Sequence, residues 1–214
     1  GFRRLAACQR LDHNGVLCRV VQPDTPIPSL VKLAIAENSW QRPLTLMEKA
    51  RAFALLQPWF PDPKDVALAA RALSMAESPD MIAKLIHLAH LPTSIQHAVE
   101  TGLLGLAMAL ALDELTSDDA GKLLDLYNTF RFGLNRQREI LQLVQEIAKI
   151  ESTSISRILM SDDVIEILNR TDQDRPARGS ALRGYLKQRR YPALTKMEET
   201  FADLKRELAL GPRI

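Results

Sequence analysis

The residues best able to do chemistry stand near the start of the chain. Glu37-Asn38-Ser39-Trp40-Gln41-Arg42-Pro43 places a carboxylate, an amide and a guanidinium within six residues. Directly after it, Leu44, Met47, Ala50, Arg51 and Ala54 recur at helical spacing, with Pro43 or Thr45 as the start signal. A carboxylate and an arginine just before a helix suit a phosphate-and-metal site, with Glu37 on a divalent cation and Arg42 on the phosphate. The other reading is a helix-capping region with a solvated arginine. Upstream, Arg3 and Arg4 begin a helix and are followed by the small Ala6 and Ala7, an arrangement that lets a phosphate approach the backbone. Its alternative is a surface helix with two exposed arginines.

Other constellations are poorer. His13, His87, His90 and His97 form no metal spacing; His87 and His90 lie three apart on a helix but without carboxylate or cysteine neighbours, and read as packing or surface histidines. Gly-x-Ser-x-Gly, phosphate-loop glycines and paired catalytic carboxylates are all missing from the sequence. Cys8 and Cys18 make neither a disulfide framework nor a zinc set, and read as buried thiols of a cytosolic protein.

The elements around these residues are mostly helical. Hydrophobic residues make up 46% of the 214 and aromatics only 5%, a Leu- and Ala-rich balance that favours helices over a sandwich. Gly15 to Val21 is an apolar, strand-like run, and Gln22 to Pro28 is a proline-rich loop. Helices are expected over Leu30–Asn38 and Leu44–Leu56, with a break at Pro58–Pro63 where Asp62 caps the next helix. Lys64–Met75, the turn Ala76-Glu77-Ser78 and Pro79–Ala89 read as helix, tight turn, helix. Further helices follow from Thr116 to Phe130, from Arg136 to Glu151, and in shorter pieces to Leu168. Thr195 opens the last one, which carries Met197, Phe201, Leu204 and Leu208 on one face. The longest apolar run, Leu103 to Leu112, is too short to span a bilayer.

The order Gly1-Phe2-Arg3-Arg4-Leu5-Ala6-Ala7, short strand, helix, Glu37-Asn38…Arg42 and helix resembles the N-terminal domain of the ParB chromosome- and plasmid-partitioning family. His90-Leu91-Pro92-Thr93-Ser94-Ile95-Gln96 and Glu100-Thr101-Gly102-Leu103-Leu104 resemble the segment that follows that family's helix-turn-helix. The resemblance covers about residues 1–115. It implies that Gly1, Arg3, Arg4, Ala7, Glu37, Asn38 and Arg42 line a CTP triphosphate, with Glu37 and Asn38 at a Mg2+ ion. It implies too that a preceding segment completes the nucleotide-binding sheet, so the front of this chain is expected to be a small, incomplete α/β piece. Two departures matter. Gln41 stands where the family has its arginine and Arg42 comes one residue later, a turn of about 100° on a helix. The family's Gly-His-Ala-Arg-like segment is Gly105-Leu106-Ala107-Met108 here, which predicts a helix packed as core.

Charge distribution separates two candidate DNA surfaces. From Asp62 to Gly102 there are three Lys/Arg against five Asp/Glu, so phosphate attraction at the helix-turn-helix is weak, and Ser78 and Lys84 are its best contacts. From Arg170 to Ile214 there are 11 Lys/Arg against 6 Asp/Glu. Within that end, Arg178, Arg183, Lys187, Arg189 and Arg190 include no intervening acid, and Leu182, Tyr185 and Leu186 give the helix an apolar side. The expectation is that Arg183, Lys187 and Arg190 face outward to a polyanion; the alternative is that they pair with Glu198, Glu199 and Glu207 of the last helix.

The expected organisation is a mainly α protein: a partial ParB-like nucleotide domain at 1–60, a helical helix-turn-helix domain at 61–169 and a basic helical segment at 170–214. The expected function is a non-enzymatic, cytoplasmic, nucleoid-associated partitioning protein. It would bind DNA and CTP with Mg2+, form a homodimer, engage a partition ATPase or another protein, and have no membrane partner. The alternative is a protein-interaction or regulatory module that kept this fold and lost specific DNA reading. A nuclease is a third reading, for which the sequence offers no catalytic constellation.

Overall fold

The computed structural model describes residues 2–18, 20–60, 62–73 and 75–207. Among these residues the chain is helical and contains no strand. The helices are α1 (Phe2–Arg10), α2 (Ile27–Gln41), α3 (Leu46–Leu56), α4 (Pro63–Arg71), α5 (Pro79–His90), α6 (Thr93–Glu100), α7 (Leu106–Asp113), α8 (Ser117–Phe130), α9 (Leu134–Ile150), α10 (Ile155–Leu159), α11 (Asp162–Asn169), α12 (Arg175–Arg190) and α13 (Pro192–Glu207). None of them is long and apolar enough to cross a membrane.

Local signals set most of these boundaries. Thr45 and Glu48 form a reciprocal capping box at the start of α3: Glu48 N–H donates to the Thr45 hydroxyl at 3.3 Å, and Thr45 N–H donates to the Glu48 carboxylate at 2.8 Å. Asp62, Ser78, Thr116, Ser154 and Asp174 each accept a backbone N–H at the starts of α4, α5, α8, α10 and α12. Gly102 ends α6 at φ +73°, a left-handed position that lets Leu103 N–H and Leu104 N–H turn back to Ala98 O.

The expected α/β piece at the front is corrected. Residues 16–18, 20 and 21 form no strand, and Leu17 and Val20 are almost wholly exposed. A strand needs a paired neighbour, and no other described segment is extended beside this one. The thiols are corrected with it: Cys8 is only half-buried and Cys18 is exposed.

A single apolar cluster runs from Ile35 on α2 to Leu186 on α12. Met47, Ala50, Phe53 and Leu56 on α3 meet Ile82, Leu85 and Leu88 on α5, where the small Ala50 allows a close approach. α7 buries Met108, Ala109 and Leu112, as its sequence predicts. Two polar latches tie the second half together. The fully buried Gln137 amide donates to Leu103 O and Phe132 O, both at 2.8 Å, while Tyr127 OH donates to Gln137 O at 2.9 Å. Burial pushes the Tyr127 phenol well above its ordinary pKa. Asp119 accepts Ser156 N–H at 2.7 Å, which seats α10 on α8.

Candidate functional site

Three places carry the residues singled out from the sequence, and the fold treats them differently. At the front, α2 runs past the expected end at Asn38 and so contains Gln41 as well as Glu37 and Asn38. Glu37 and Asn38 are exposed on its last turns. The Asn38 amide donates back to Ala34 O at 2.8 Å. Arg42 leaves the helix in an extended conformation and folds forward onto α3. Its guanidinium meets the Glu48 carboxylate with two parallel bonds, Nη1 to Oε2 at 2.8 Å and Nη2 to Oε1 at 2.5 Å. That bond from Arg42, with the Thr45 N–H behind it, brings the Glu48 carboxyl down to about 2. Arg42 is therefore an internal clamp across the α2–α3 turn, and the structure does not bring it together with Glu37 on a shared anion.

Arg4 and Ala7 lie exposed on α1, and no ion pair joins Arg4 to another described residue. Gly1 lies outside the described residues, as does the side chain of Arg3. No cluster of three or more His, Cys, Asp or Glu that could hold a metal is present among the described residues. A groove of about 330 Å³ opens between α2 and α3, with Val31, Ile35 and Leu55 along it and Asn38, Glu48 and Arg51 at its rim. The polar rim is already engaged: Arg51 pairs with Glu100 at 2.6 Å.

The second place is the α4–α5 pair. The expected tight turn is corrected: α4 ends at Arg71 rather than Met75, and residues 72–78 connect it to α5. The chain folds back because Leu73 N–H and Met75 N–H both bond Ala70 O and both side chains drop into the core. α5 then starts at Pro79, with the Ser78 hydroxyl accepting Met81 N–H at 3.3 Å. Ile82, Leu85 and Leu88 fix the buried face, so Ser78, Asp80, Ala83 and Lys84 stay exposed at the N-terminal end. Lys84 pairs with no carboxylate among the described residues. The far end of α5 is held by Gln96, whose amide donates to Ala89 O at 3.0 Å and Leu91 O at 2.8 Å. His87 bonds Asp113 at 2.8 Å and ties α5 to α7.

The third place is α12, and here the expected geometry is corrected. Leu182 and Leu186 are fully buried, which turns the flanking cations toward α9 rather than outward. Arg183 donates to both oxygens of Glu139, at 2.8 and 2.7 Å, and Lys187 reaches the same carboxylate at 3.2 Å. Arg189 makes a two-bond contact with Glu151, at 2.8 and 2.6 Å, and Arg190 bonds Glu146. Arg178 donates to Leu168 O at 2.7 Å. Hydrogen bonds from Arg183 to Glu139, from Gln142 and Arg190 to Glu146, and from Arg189 to Glu151 hold all three carboxyls below the usual range. The acids that meet the α12 cations are Glu139 and Glu146 on α9 and Glu151 just past its end; Glu198 pairs with none of these cations, and the side chains of Glu199 and Glu207 lie outside the described residues. Sequence reasoning missed them, although Glu139 and Glu146 stand seven residues apart beside the apolar face of Ile140, Val144 and Ile147.

Chemically, the three places amount to an open α5 end with a free lysine, a clamped front turn and a neutralised basic helix. No family model, curated protein or solved structure matches the chain.

Proposed function

We propose that the chain is a ParB-like scaffold of DNA partitioning or nucleoid organisation, which meets DNA with the N-terminal end of α5 and reads sequence only weakly. The observation that carries this reading is the α4–α5 pair. α5 is locked by its apolar face and by Gln96, and it leaves Lys84 unpaired beside the exposed cap Ser78 at the helix start. Such an end suits the edge of a major groove: one lysine meets phosphate, and few side chains are able to read bases. In the same reading CTP and Mg2+ bind at the front through Gly1, Arg3, Arg4, Ala7, Glu37 and Asn38. Arg42 joins them only by releasing Glu48. The homodimer and a partition ATPase partner belong to this proposal too.

Fluorescence anisotropy of the full chain with labelled duplexes of unrelated sequence tests it, with and without CTP and Mg2+. Weak, sequence-tolerant binding that falls further in Lys84→Glu is the expected result. No binding to any duplex at low salt overturns it.

One observation favours a second reading, a protein-interaction or regulatory module. Arg42, Lys49, Arg51, Arg183, Lys187, Arg189 and Arg190 all pair with carboxylates of the same chain, so these seven cations present no free positive surface. That module predicts retained folding with no duplex binding at any salt.

A further inference from the structure

A second cleft, of about 210 Å³, opens between the start of α6, the end of α7 and the first turns of α8. Leu112, fully buried, and Leu124, half-buried, give it an apolar floor. Three polar side chains converge on its rim: Ser94, Asp113 and Ser117. His87 Nε2–H donates to Asp113 Oδ2 at 2.8 Å and so fixes the carboxylate. Asp113 Oδ1 and the two hydroxyls bond no other described residue, unlike the engaged rim of the α2–α3 groove. Gly121 lines the same cleft from within α8. A glycine inside a helix weakens it relative to alanine. A β-carbon at Gly121 would meet nothing within 4 Å, and its φ is not left-handed, so neither packing within the described chain nor backbone shape calls for glycine there. Close approach of a bound group to the α8 backbone does.

We propose that this cleft binds a small alkylammonium ion, a primary amine on a short aliphatic body. Charge selects a cation. From Asp113 to Gly121 there are four Asp/Glu and no Lys/Arg, and Glu114 and Asp118 are exposed and pair with no cation among the described residues. An anion would be repelled by this edge, while a cation is drawn to it. An ammonium carries three donors and no acceptor, which suits a rim made of one carboxylate and two hydroxyls. The alkyl body lies on Leu112 and Leu124 and against the bare backbone at Gly121. At about 30 Å³ for each water-sized group, the cleft takes roughly seven non-hydrogen atoms. So small and open a site holds its ligand at millimolar concentration. The inference does not depend on any role in DNA binding.

Amide shifts of the isotope-labelled full chain during titration with butylammonium chloride test it, beside sodium chloride, sodium butyrate and 1-butanol. Butylammonium should give saturable shifts at Ser94, Asp113 and Gly121. The neutral 1-butanol should bind about tenfold more weakly, and butyrate should move nothing beyond the salt control. Gly121→Met fills the cleft and abolishes saturation, while its higher helix propensity keeps the melting temperature from falling. Asp113→Asn keeps the shape of the rim, weakens butylammonium about tenfold and leaves 1-butanol unchanged. The proposal is overturned if butylammonium gives no saturable shift, or if 1-butanol or butyrate binds as well. It is overturned too by a folded Gly121→Met chain that still binds, or by Asp113→Asn binding butylammonium undiminished.

Discussion

Replacing Glu139, Glu146 and Glu151 together by Gln should turn α12 from a structural helix into a DNA-binding one. These carboxylates neutralise Arg183, Lys187, Arg190 and Arg189, and Gln keeps their shape while removing the charge. Each freed cation that meets a duplex phosphate releases counterions and steepens the slope of log K against log salt by about 0.9. With four cations the slope steepens by roughly 3 to 4, and binding between 50 and 200 mM salt falls by about two orders of magnitude more than for the unaltered chain. The same change loosens α12 from α9, so the melting temperature drops. That drop stays modest because the paired side chains remain partly solvated, 24–44% exposed, and the apolar anchors Leu182 and Leu186 are untouched. The assay is fluorescence anisotropy on one duplex at four or more salt concentrations, with circular dichroism as a folding control. If the triple variant and the unaltered chain share one slope, α12 is not held neutral by α9 and the reasoning fails.

Three further outcomes follow from the packing. Glu48 is held near 2, so its contribution to stability is complete above the unfolded carboxyl pKa near 4.5 and is lost as pH falls toward 2; urea melts across that window should decline less for Glu48→Gln than for the unaltered chain. Gln137→Ala leaves the carbonyls of Leu103 and Phe132 without their buried donor and should cost about 2–4 kcal/mol in chemical denaturation; a loss under 1 kcal/mol would mean that water replaces the amide. Gly102→Ala forces a β-carbon into a left-handed turn with open space around it, so the cost is backbone strain alone, about 1–2 kcal/mol by thermal melting.

The helical architecture was legible in the sequence wherever a cap stood before a periodic apolar run. Thr116 and Asp62 started helices where their side chains predicted, and the buried stripe Ile140, Val144 and Ile147 came straight from the 3.6-residue period. The strand at 16–21 misled because an apolar run says nothing about whether a partner strand exists, and pairing is what makes a strand. The connection after Arg71 misled because a backbone turn stabilised by burying Leu73 and Met75 carries no glycine or proline signal. The charged sites were least legible. Arg42 looked like a phosphate ligand, yet the capping glutamate six residues on was the nearer anion. The basic run on α12 looked like a DNA surface, yet its partner acids lie about 44 positions earlier, a separation that no local pattern reveals.

Where DNA touches the chain is the most direct test of the proposed function. Isotope-labelled full chain titrated with a duplex at low salt gives amide shift changes residue by residue. The account predicts that the largest changes fall on Ser78 to Lys84 at the start of α5, with residues 175–190 of α12 nearly silent. Changes concentrated on α12 with α5 unmoved would contradict it, as would a spectrum that the duplex leaves unaltered.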